Sequence, residues 1–377
     1  MNQFLINNSK NIIGFKTKRK IIVFSVDDYG NVRLDSKTAR EKLDKAGMKV
    51  FSRFDSYDTL ETRQDLEMLY QTLMSVKDKN DRYPAFTAFA LPCNIDFEKI
   101  EKENYTEYRY ELLTDTFNKV SSINPQAYTN AWKLWRYGID QKLFIPQFHG
   151  REHLNLKVFN EKLKIKDVEL LTALKNRSFT SISSSGYQSI SYTAAFDFQK
   201  FSENDAFPSI IDDGLKAFEN VFGYTASHFT PSVYNVHSSH FNQLKNLGIN
   251  YIDLAMFQKE HQGLNNYKLK FNYLGKKTND GLLTFVRNIV FEPTDNRGID
   301  WVAFTLKQIE AAFRWNRPAI ISSHRVNFCG HIDPNNRSIG ITALSMLLKK
   351  IVKHWPDVEF MAANELGNLI SSEKNIL

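Results

Sequence analysis

Residues 20–30 read Lys-Ile-Ile-Val-Phe-Ser-Val-Asp-Asp-Tyr-Gly, an apolar run that ends in two adjacent carboxylates. Residues 21–26 have the length and the β-branched content of a strand that is buried on both faces, as parallel strands covered by helices are. Similar short runs recur along the chain, at residues 85–91, 143–148, 227–230, 282–286, 319–322 and 358–361. The sequence therefore predicts a parallel β-sheet built from short buried strands.

Longer segments, in which apolar residues recur with the period of a helix, separate these runs. They cover residues 60–76, 210–222, 241–247, 301–315 and 341–355. This repeated alternation of strand and helix favours a (β/α) barrel over an open doubly wound sheet. No linker divides the chain, so we predict one barrel domain over residues 21–377, with a helical insertion near residues 95–140.

The net charge of +7 is concentrated at the N-terminus, because residues 1–20 hold basic side chains and no acidic ones. We interpret residues 1–20 as a basic leader, and the nearly neutral remainder argues against nucleic acid as a partner. No apolar run has the roughly 18 residues of a transmembrane segment, and none follows the leader as a signal-peptide core would. With two cysteines, too few for a disulfide framework, the sequence predicts a cytoplasmic protein.

Functional residues of parallel β/α folds lie at the carboxyl ends of the strands. The first predicted strand ends in Asp27 and Asp28, which repel one another unless a neighbouring charge neutralises them. A divalent cation bound by one carboxylate, with the other free as a base, would relieve that repulsion. The alternative is a turn in which an Asp caps a helix and Gly30 supplies a left-handed position.

The predicted strand at residues 143–148 ends in His149, and His153 follows four residues later. On a helical turn these histidines would face the same side and could share one metal ion. Gly150 stands where a zincin motif requires Glu, so that motif is excluded, and two solvent-facing histidines are the alternative.

A late predicted strand ends at His324, and a lone histidine is more often structural than catalytic. Its place at a strand end adds it to the same edge of the barrel as the pairs above. Asp28, His149 and His153 would then form a metal site of one carboxylate and two histidines. Asp27 as base and His324 as acid would complete a hydrolytic set.

These residues resemble the polysaccharide deacetylase family, carbohydrate esterase family 4 with its NodB-homology domain. Residues 24–30 are similar to the family motif Thr-Phe-Asp-Asp-Gly, and His149 and His153 match its His-x-x-x-His motif. Residues 214–231 resemble the helix that leads to the Arg-Pro-Pro motif, and His324 matches the late histidine. The Asp-Asp-Tyr-Gly sequence is also similar to the YdjC-type deacetylases.

The resemblance implies a distorted (β/α) barrel of about seven parallel strands that holds one divalent metal, zinc or else cobalt, nickel or manganese. The metal ligands would be Asp28, His149 and His153. Asp27 would be the general base and His324 the acid in the removal of an N- or O-acyl group from a sugar. A non-catalytic carbohydrate-binding descendant remains an alternative, as does another metallohydrolase such as a phosphoesterase or a glycosidase.

The sequence departs from the family where an Arg orients the base, because Thr230 stands at that position. Three arginines could replace it: Arg151, Arg287 and Arg325. An Asp that tunes the late histidine is not identifiable either, and Asp295 and Asp300 are the candidates.

We expect Tyr29, Pro231 and Arg325 to contact the substrate, because they adjoin the candidate catalytic residues or match the family motif. A cytoplasmic protein would not meet finished cell-wall polymer. The expected substrate is therefore an acylated sugar, such as an oligosaccharide intermediate or a nucleotide-linked or lipid-linked glycan.

Overall fold

The computed structural model describes residues 3–187 and 190–374. Its strands are β1 (Lys20–Tyr29), β2 (Phe86–Ala90), β3 (Cys93–Ile95), β4 (Tyr110–Leu112), β5 (Phe144–Phe148), β6 (His228–Phe229), β7 (Tyr251–Asp253), β8 (Phe257–Gly263), β9 (Asn266–Phe271), β10 (Leu283–Phe285), β11 (Ile289–Val290), β12 (Ala319–His324) and β13 (Val358–Phe360). Its α-helices are α1 (Gln3–Ser9), α2 (Lys37–Lys45), α3 (Arg53–Tyr57), α4 (Arg63–Leu73), α5 (Phe97–Lys102), α6 (Leu113–Ile123), α7 (Pro125–Tyr128), α8 (Ala131–Asp140), α9 (Leu156–Lys164), α10 (Val168–Lys175), α11 (Phe207–Phe222), α12 (Phe241–Asn246), α13 (Trp301–Arg314), α14 (Pro334–His354) and α15 (Ala363–Lys374).

One parallel sheet organises the fold, in the strand order β10-β7-β6-β5-β2-β1-β12-β11, with β13 pairing the first residues of β1. Its two edge strands, β10 and β11, are separated in the chain by residues 286–288 alone. Four Cα-to-Cα steps span at most about 14 Å, so the two edges must lie near one another. The sheet is therefore curled into a distorted (β/α) barrel, and this prediction from the sequence is confirmed.

Strand β1 runs through the middle of the barrel wall and is buried on both faces. Phe24 and Val26 pack into the main hydrophobic core, whereas Ile21 and Val23 pack into a second cluster with Ile320. Because helices and neighbouring chain cover both faces, the strand reads as a continuous apolar run instead of an alternating one. This double burial is what made the run recognisable in the sequence.

The sheet has more strands than the roughly seven predicted, because β7 and β11, of three and two residues, lie outside the apolar runs identified in the sequence. Runs of that length show no periodicity in a sequence. The hairpin of β8 and β9 lies outside the main sheet and was also not predicted. Among the described residues, no helix combines the length and the apolar character needed to cross a membrane.

Residues 3–19 lie against the barrel, where the guanidinium of Arg317 donates to the main-chain carbonyls of Asn11, Ile12 and Gly14. Whether residues 1–20 act as a leader stays a prediction, and residues 1 and 2 lie outside the described residues. The same holds for the single domain predicted to end at residue 377, since the description ends at residue 374. Helices α5 to α8 occupy most of the segment predicted as an insertion.

Candidate metal centre and active site

A β-bulge at the end of β1 brings Asp27 and Asp28 into one pocket. Successive strand residues point to opposite faces, so a regular strand would separate these two carboxylates. The register with β2 shifts between Val26 and Tyr29, and Asp28 adopts a left-handed backbone with φ of 75°. Bulges of this kind re-aim side chains beside functional sites. Both carboxylates consequently line the same cavity.

His149 and His153 converge on Asp28 from the loop that follows β5. Oδ1 of Asp28 lies 3.3 Å from Nε2 of His149 and 3.4 Å from Nε2 of His153. The predicted helical turn between the histidines is wrong, because the segment is an irregular bend in which Gly150 has a φ of 119°. The imidazole rings nevertheless lie side by side, with their centroids 5.2 Å apart.

The chemistry of these three side chains fits one divalent cation. Each offers a ligand atom, and the three atoms lie within 4.8 Å of one another. The ring N–H at Nδ1 of His149 donates to the carbonyl of Thr230 over 2.7 Å, which leaves the lone pair of Nε2 facing Asp28. That Nε2 is buried and has no hydrogen-bond partner among residues 3–187 and 190–374. An orphaned buried nitrogen beside a carboxylate is what a missing ligand partner would leave.

The electrostatics of the cluster also favour metal ligation. Burial lowers the pKa of His153 to about 3, so its ring is neutral with a free lone pair at physiological pH. Burial would raise the pKa of the Asp28 carboxyl, but the histidines around it, which include the protonated His324, hold that pKa well below its usual range. A neutral imidazole and an ionised carboxylate are the forms that bind metals.

Arg287, in the segment that joins the two edges of the barrel, holds Asp27. Its Nη1 and Nη2 donate to the two carboxylate oxygens of Asp27 over 2.7 and 2.8 Å, in a bidentate pair. Its Nε donates to Asp253 at the end of β7 over 2.7 Å, and Nη2 also donates to the hydroxyl of Thr230. Arg287 is therefore the cation that orients the candidate base, and Thr230 supports it.

His324, at the end of β12, faces Asp27 from the neighbouring strand, with Nε2 3.9 Å from Oδ2 of Asp27. Its Nδ1 lies 2.7 Å from Oε1 of Glu292, which follows β11. Oε2 of Glu292 accepts from Asn327 over 2.8 Å and pairs with Arg53. Burial lowers the pKa of His324, but the charge and hydrogen bond of Glu292 outweigh it and raise that pKa to about 9.

A cavity of about 190 Å³ collects these groups at the carboxyl ends of the barrel strands. It is lined by Asp27, Asp28, Arg33, Phe54, His149, His153, Thr193, Thr230, Pro231, Val233, Tyr234 and His324. Arg287 does not line this cavity, but it donates hydrogen bonds to Asp27 and Thr230, which do. This cavity, which we call the metal cavity, thus brings together a candidate set of three metal ligands, an oriented carboxylate and an imidazole whose pKa is raised.

The residues predicted to contact substrate are placed differently. Pro231 lines the cavity. Tyr29 is buried, with its ring edge-on to Phe144 and to Trp135, and does not line the cavity. Arg325 is also buried, where its guanidinium donates to Asp58.

Of the arginines left open by the sequence, Arg287 alone pairs with Asp27. Arg151 pairs with Glu152 and Asp213 instead. The partner of His324 is a glutamate and neither of the aspartates considered, because Asp295 pairs with Arg297 and Asp300 caps α13. Asp253 and Glu292 were missed altogether, although each stands at or just after the end of a short strand.

No family model and no curated protein matches this sequence. Solved structures similar to this chain include two proteins assigned as polysaccharide deacetylases. The one from Mycobacterium smegmatis is 10% identical, with a TM-score of 0.45 and coverage of 96% of this chain and 94% of its own. The one from Pseudomonas aeruginosa PAO1 is 8% identical, with a TM-score of 0.44 and coverage of 93% and 91%.

A 4-alpha-glucanotransferase from Thermococcus litoralis is similar to the same degree. It is 10% identical, with a TM-score of 0.46 over 93% of this chain and 40% of its own. Polysaccharide deacetylases are therefore among the structures that this chain resembles, and at these values the likeness is one of fold alone.

Proposed function

We propose that the protein is a metal-dependent hydrolase that removes an N- or O-acyl group of the acetyl type from a sugar or glycan intermediate. The observation that carries this proposal is the convergence of Asp28, His149 and His153 on one cavity with Asp27 and His324. A protein that only binds its ligand needs neither a base nor an acid, whereas here Asp27 is held by Arg287 and His324 by Glu292.

The chain's own groups divide the work of hydrolysis. A divalent cation on Asp28, His149 and His153, zinc or else cobalt, nickel or manganese, would supply a Lewis acid for water and for the acyl carbonyl. Asp27, fixed by Arg287, accepts the proton of the attacking water. His324, protonated beside Glu292, donates a proton to the departing amine or alkoxide. The 3.9 Å between Oδ2 of Asp27 and Nε2 of His324 is short enough for one group to serve the attacking water and the other the leaving atom of the same acyl carbon.

A second cavity, of about 370 Å³, supports a sugar as the group that is deacylated. It shares Arg33 and Thr193 with the metal cavity. Its wall is rich in hydroxyl groups, from Ser52, Thr180, Ser181, Ser184 and Ser191, and carries the aromatic rings of Phe51 and Tyr192. Hydroxyls and aromatic faces are the groups that bind the polar edges and apolar faces of sugar rings.

Metal content tests the cluster directly. We expect the purified protein to hold one equivalent of a divalent metal, and Asp28→Ala and His149→Ala each to lose it, because two ligands hold a cation far more weakly than three. Elemental analysis after dialysis measures this. His240→Ala, which removes a buried histidine bonded to Asn204, is the matched control and should retain the metal.

Full metal content in both cluster variants would refute the metal site. Release of acetate from acylated sugars is the second readout. A protein that binds metal through this cluster but releases no acyl group from any acylated sugar would refute the hydrolase and leave a binding protein.

The pH dependence of activity should depend on Glu292. A folded pKa of about 9 for His324 lies above the usual value near 6.5. The pairing therefore stabilises the fold fully below about pH 6.5 and is lost as the pH rises through 9. Glu292→Gln removes the largest of the effects that raise the pKa of His324, so we expect the alkaline fall in kcat/KM to begin at a lower pH. Glu260→Gln, which changes another buried carboxylate, should leave the profile unchanged. Superimposable profiles of Glu292→Gln and the unmodified enzyme would contradict the role of Glu292.

A further inference from the structure

A separate apolar cavity of about 610 Å³ adjoins the metal cavity. Tyr234 lines both cavities, and Arg287, which holds Asp27, lines the apolar one. The guanidinium carbon of Arg287 lies 5.5 Å from the centre of the Tyr234 ring. The two spaces are thus separated by side chains that also serve the candidate active site. The volume falls within the roughly 300–1,000 Å³ of small-molecule sites.

The wall of this cavity is apolar and stays open to solvent. It is formed mainly by Ile12, Ile13, Leu254, Met256, Phe257 and Phe271. Ile12 and Ile13 are 52% and 50% exposed, and Phe257 is 75% exposed. Large apolar side chains grouped around one cavity and left in contact with water mark a site for an apolar ligand.

The exposed apolar surface continues beyond the cavity along the β8–β9 hairpin. Phe257 and Phe271 are cross-strand partners with ring centroids 5.4 Å apart. Leu269 lies two residues before Phe271, on the same face of β9, and is 74% exposed. A ligand longer than the cavity would therefore find an apolar path outside it.

Besides Arg287, which is paired with Asp27 and Asp253, this mainly apolar wall carries a second cation. Lys10 lines the cavity, and its ammonium group has no hydrogen-bond or ion-pair partner in the described part of the chain. Burial lowers the pKa of this ammonium. An unpaired cation at an apolar cavity favours a ligand that combines hydrocarbon with negative charge.

We propose that this cavity binds the hydrocarbon chain of an anionic amphiphile, with its carboxylate or phosphate group at Lys10. On the proposed deacylase function, on which this further step rests, the amphiphile is the lipid part of a lipid-linked sugar. A nucleotide-linked sugar would place a polar base and ribose where the wall offers isoleucine and phenylalanine.

Binding of a fluorescent probe tests the site without metal or turnover, so failure of the deacylase function and failure of this site are distinguishable. We expect the protein to bind 11-(dansylamino)undecanoate and dodecyl phosphate to displace it. Ala255→Trp, which fills the cavity, should weaken binding at least about tenfold. Ala303→Trp is the matched control, because it makes the same change in a different cavity, of about 650 Å³, beside α13.

A second pair of variants guards against misfolding of Ala255→Trp. Ile13→Asp places a negative charge at a half-exposed position of the wall and should also weaken binding at least about tenfold. Ile339→Asp, at an equally exposed position on α14, should not. Lys10→Met should lower the affinity for dodecyl phosphate and leave that for dodecanol unchanged. The proposal would be overturned if the unmodified protein bound no probe, or if Ala255→Trp and Ile13→Asp bound it as tightly as the unmodified protein does.

Discussion

Replacing Asp27 by Asn is expected to lower kcat for acyl release by about 10²- to 10⁴-fold, the usual contribution of a general base, while metal content stays unchanged. The amide has the size of the carboxylate but accepts no proton from water. Because Asp27 accepts from Arg287 through both oxygens and contributes no ligand atom to the metal cluster, the change should leave the three ligands in place. Steady-state kinetics together with elemental analysis of the same preparation measure both effects.

Asp253→Asn is the matched control for that experiment. It removes the second carboxylate that pairs with Arg287, and Asp253 does not line the metal cavity. We expect it to lower stability and to change kcat far less than Asp27→Asn does. Unchanged kcat in Asp27→Asn would remove Asp27 as the base, and equal losses in the two variants would assign the effect to Arg287 instead.

The candidate site was predictable from the sequence where strands are long enough to be read. Functional residues of β/α folds lie at the carboxyl ends of strands. The candidates identified in this way each stand at or just after the end of an apolar run: Asp27, Asp28, His149 and His324. The bulge that turns Asp27 and Asp28 into one pocket was not predictable, because a positive φ at Asp28 leaves no pattern in the sequence.

The ion partners of the catalytic candidates could not be predicted from strand ends alone. Three arginines follow predicted strands, and a one-dimensional pattern gives a strand end but not the direction of the side chain. Arg287 is selected only because its segment closes the barrel beside Asp27. Glu292 follows a strand of two residues, which is too short to show periodicity, so its pairing with His324 required the structure.

Replacing Arg287 by Met is expected to lower the free energy of unfolding by about 3–5 kcal/mol, since breaking a buried ion pair from one side leaves the partner charges uncompensated. The side chain of Arg287 is 3% exposed and contacts two buried carboxylates, Asp27 and Asp253. Denaturation by urea, followed by circular dichroism, measures the loss. Arg317→Met is the control, because the buried Arg317 donates only to neutral main-chain carbonyls, and about 1–3 kcal/mol is expected there.

The pH dependence of the Arg287→Met effect separates lost charge pairing from lost packing. In the unmodified protein, Arg287 and His228 outweigh burial and hold the pKa of Asp253 well below its usual value. The stability that this pairing contributes is present above about pH 4 and is lost as the pH falls further, through the depressed pKa. Without Arg287, that cation no longer opposes the effect of burial, so the pKa of Asp253 rises and its carboxyl takes up a proton more readily. The difference in the free energy of unfolding between the unmodified protein and Arg287→Met should therefore narrow as the pH falls from 7 towards 4. Arg317→Met removes no ion pair, so its gap should not change with pH. A gap for Arg287→Met that is equally independent of pH would show that Arg287 stabilises the barrel by packing alone.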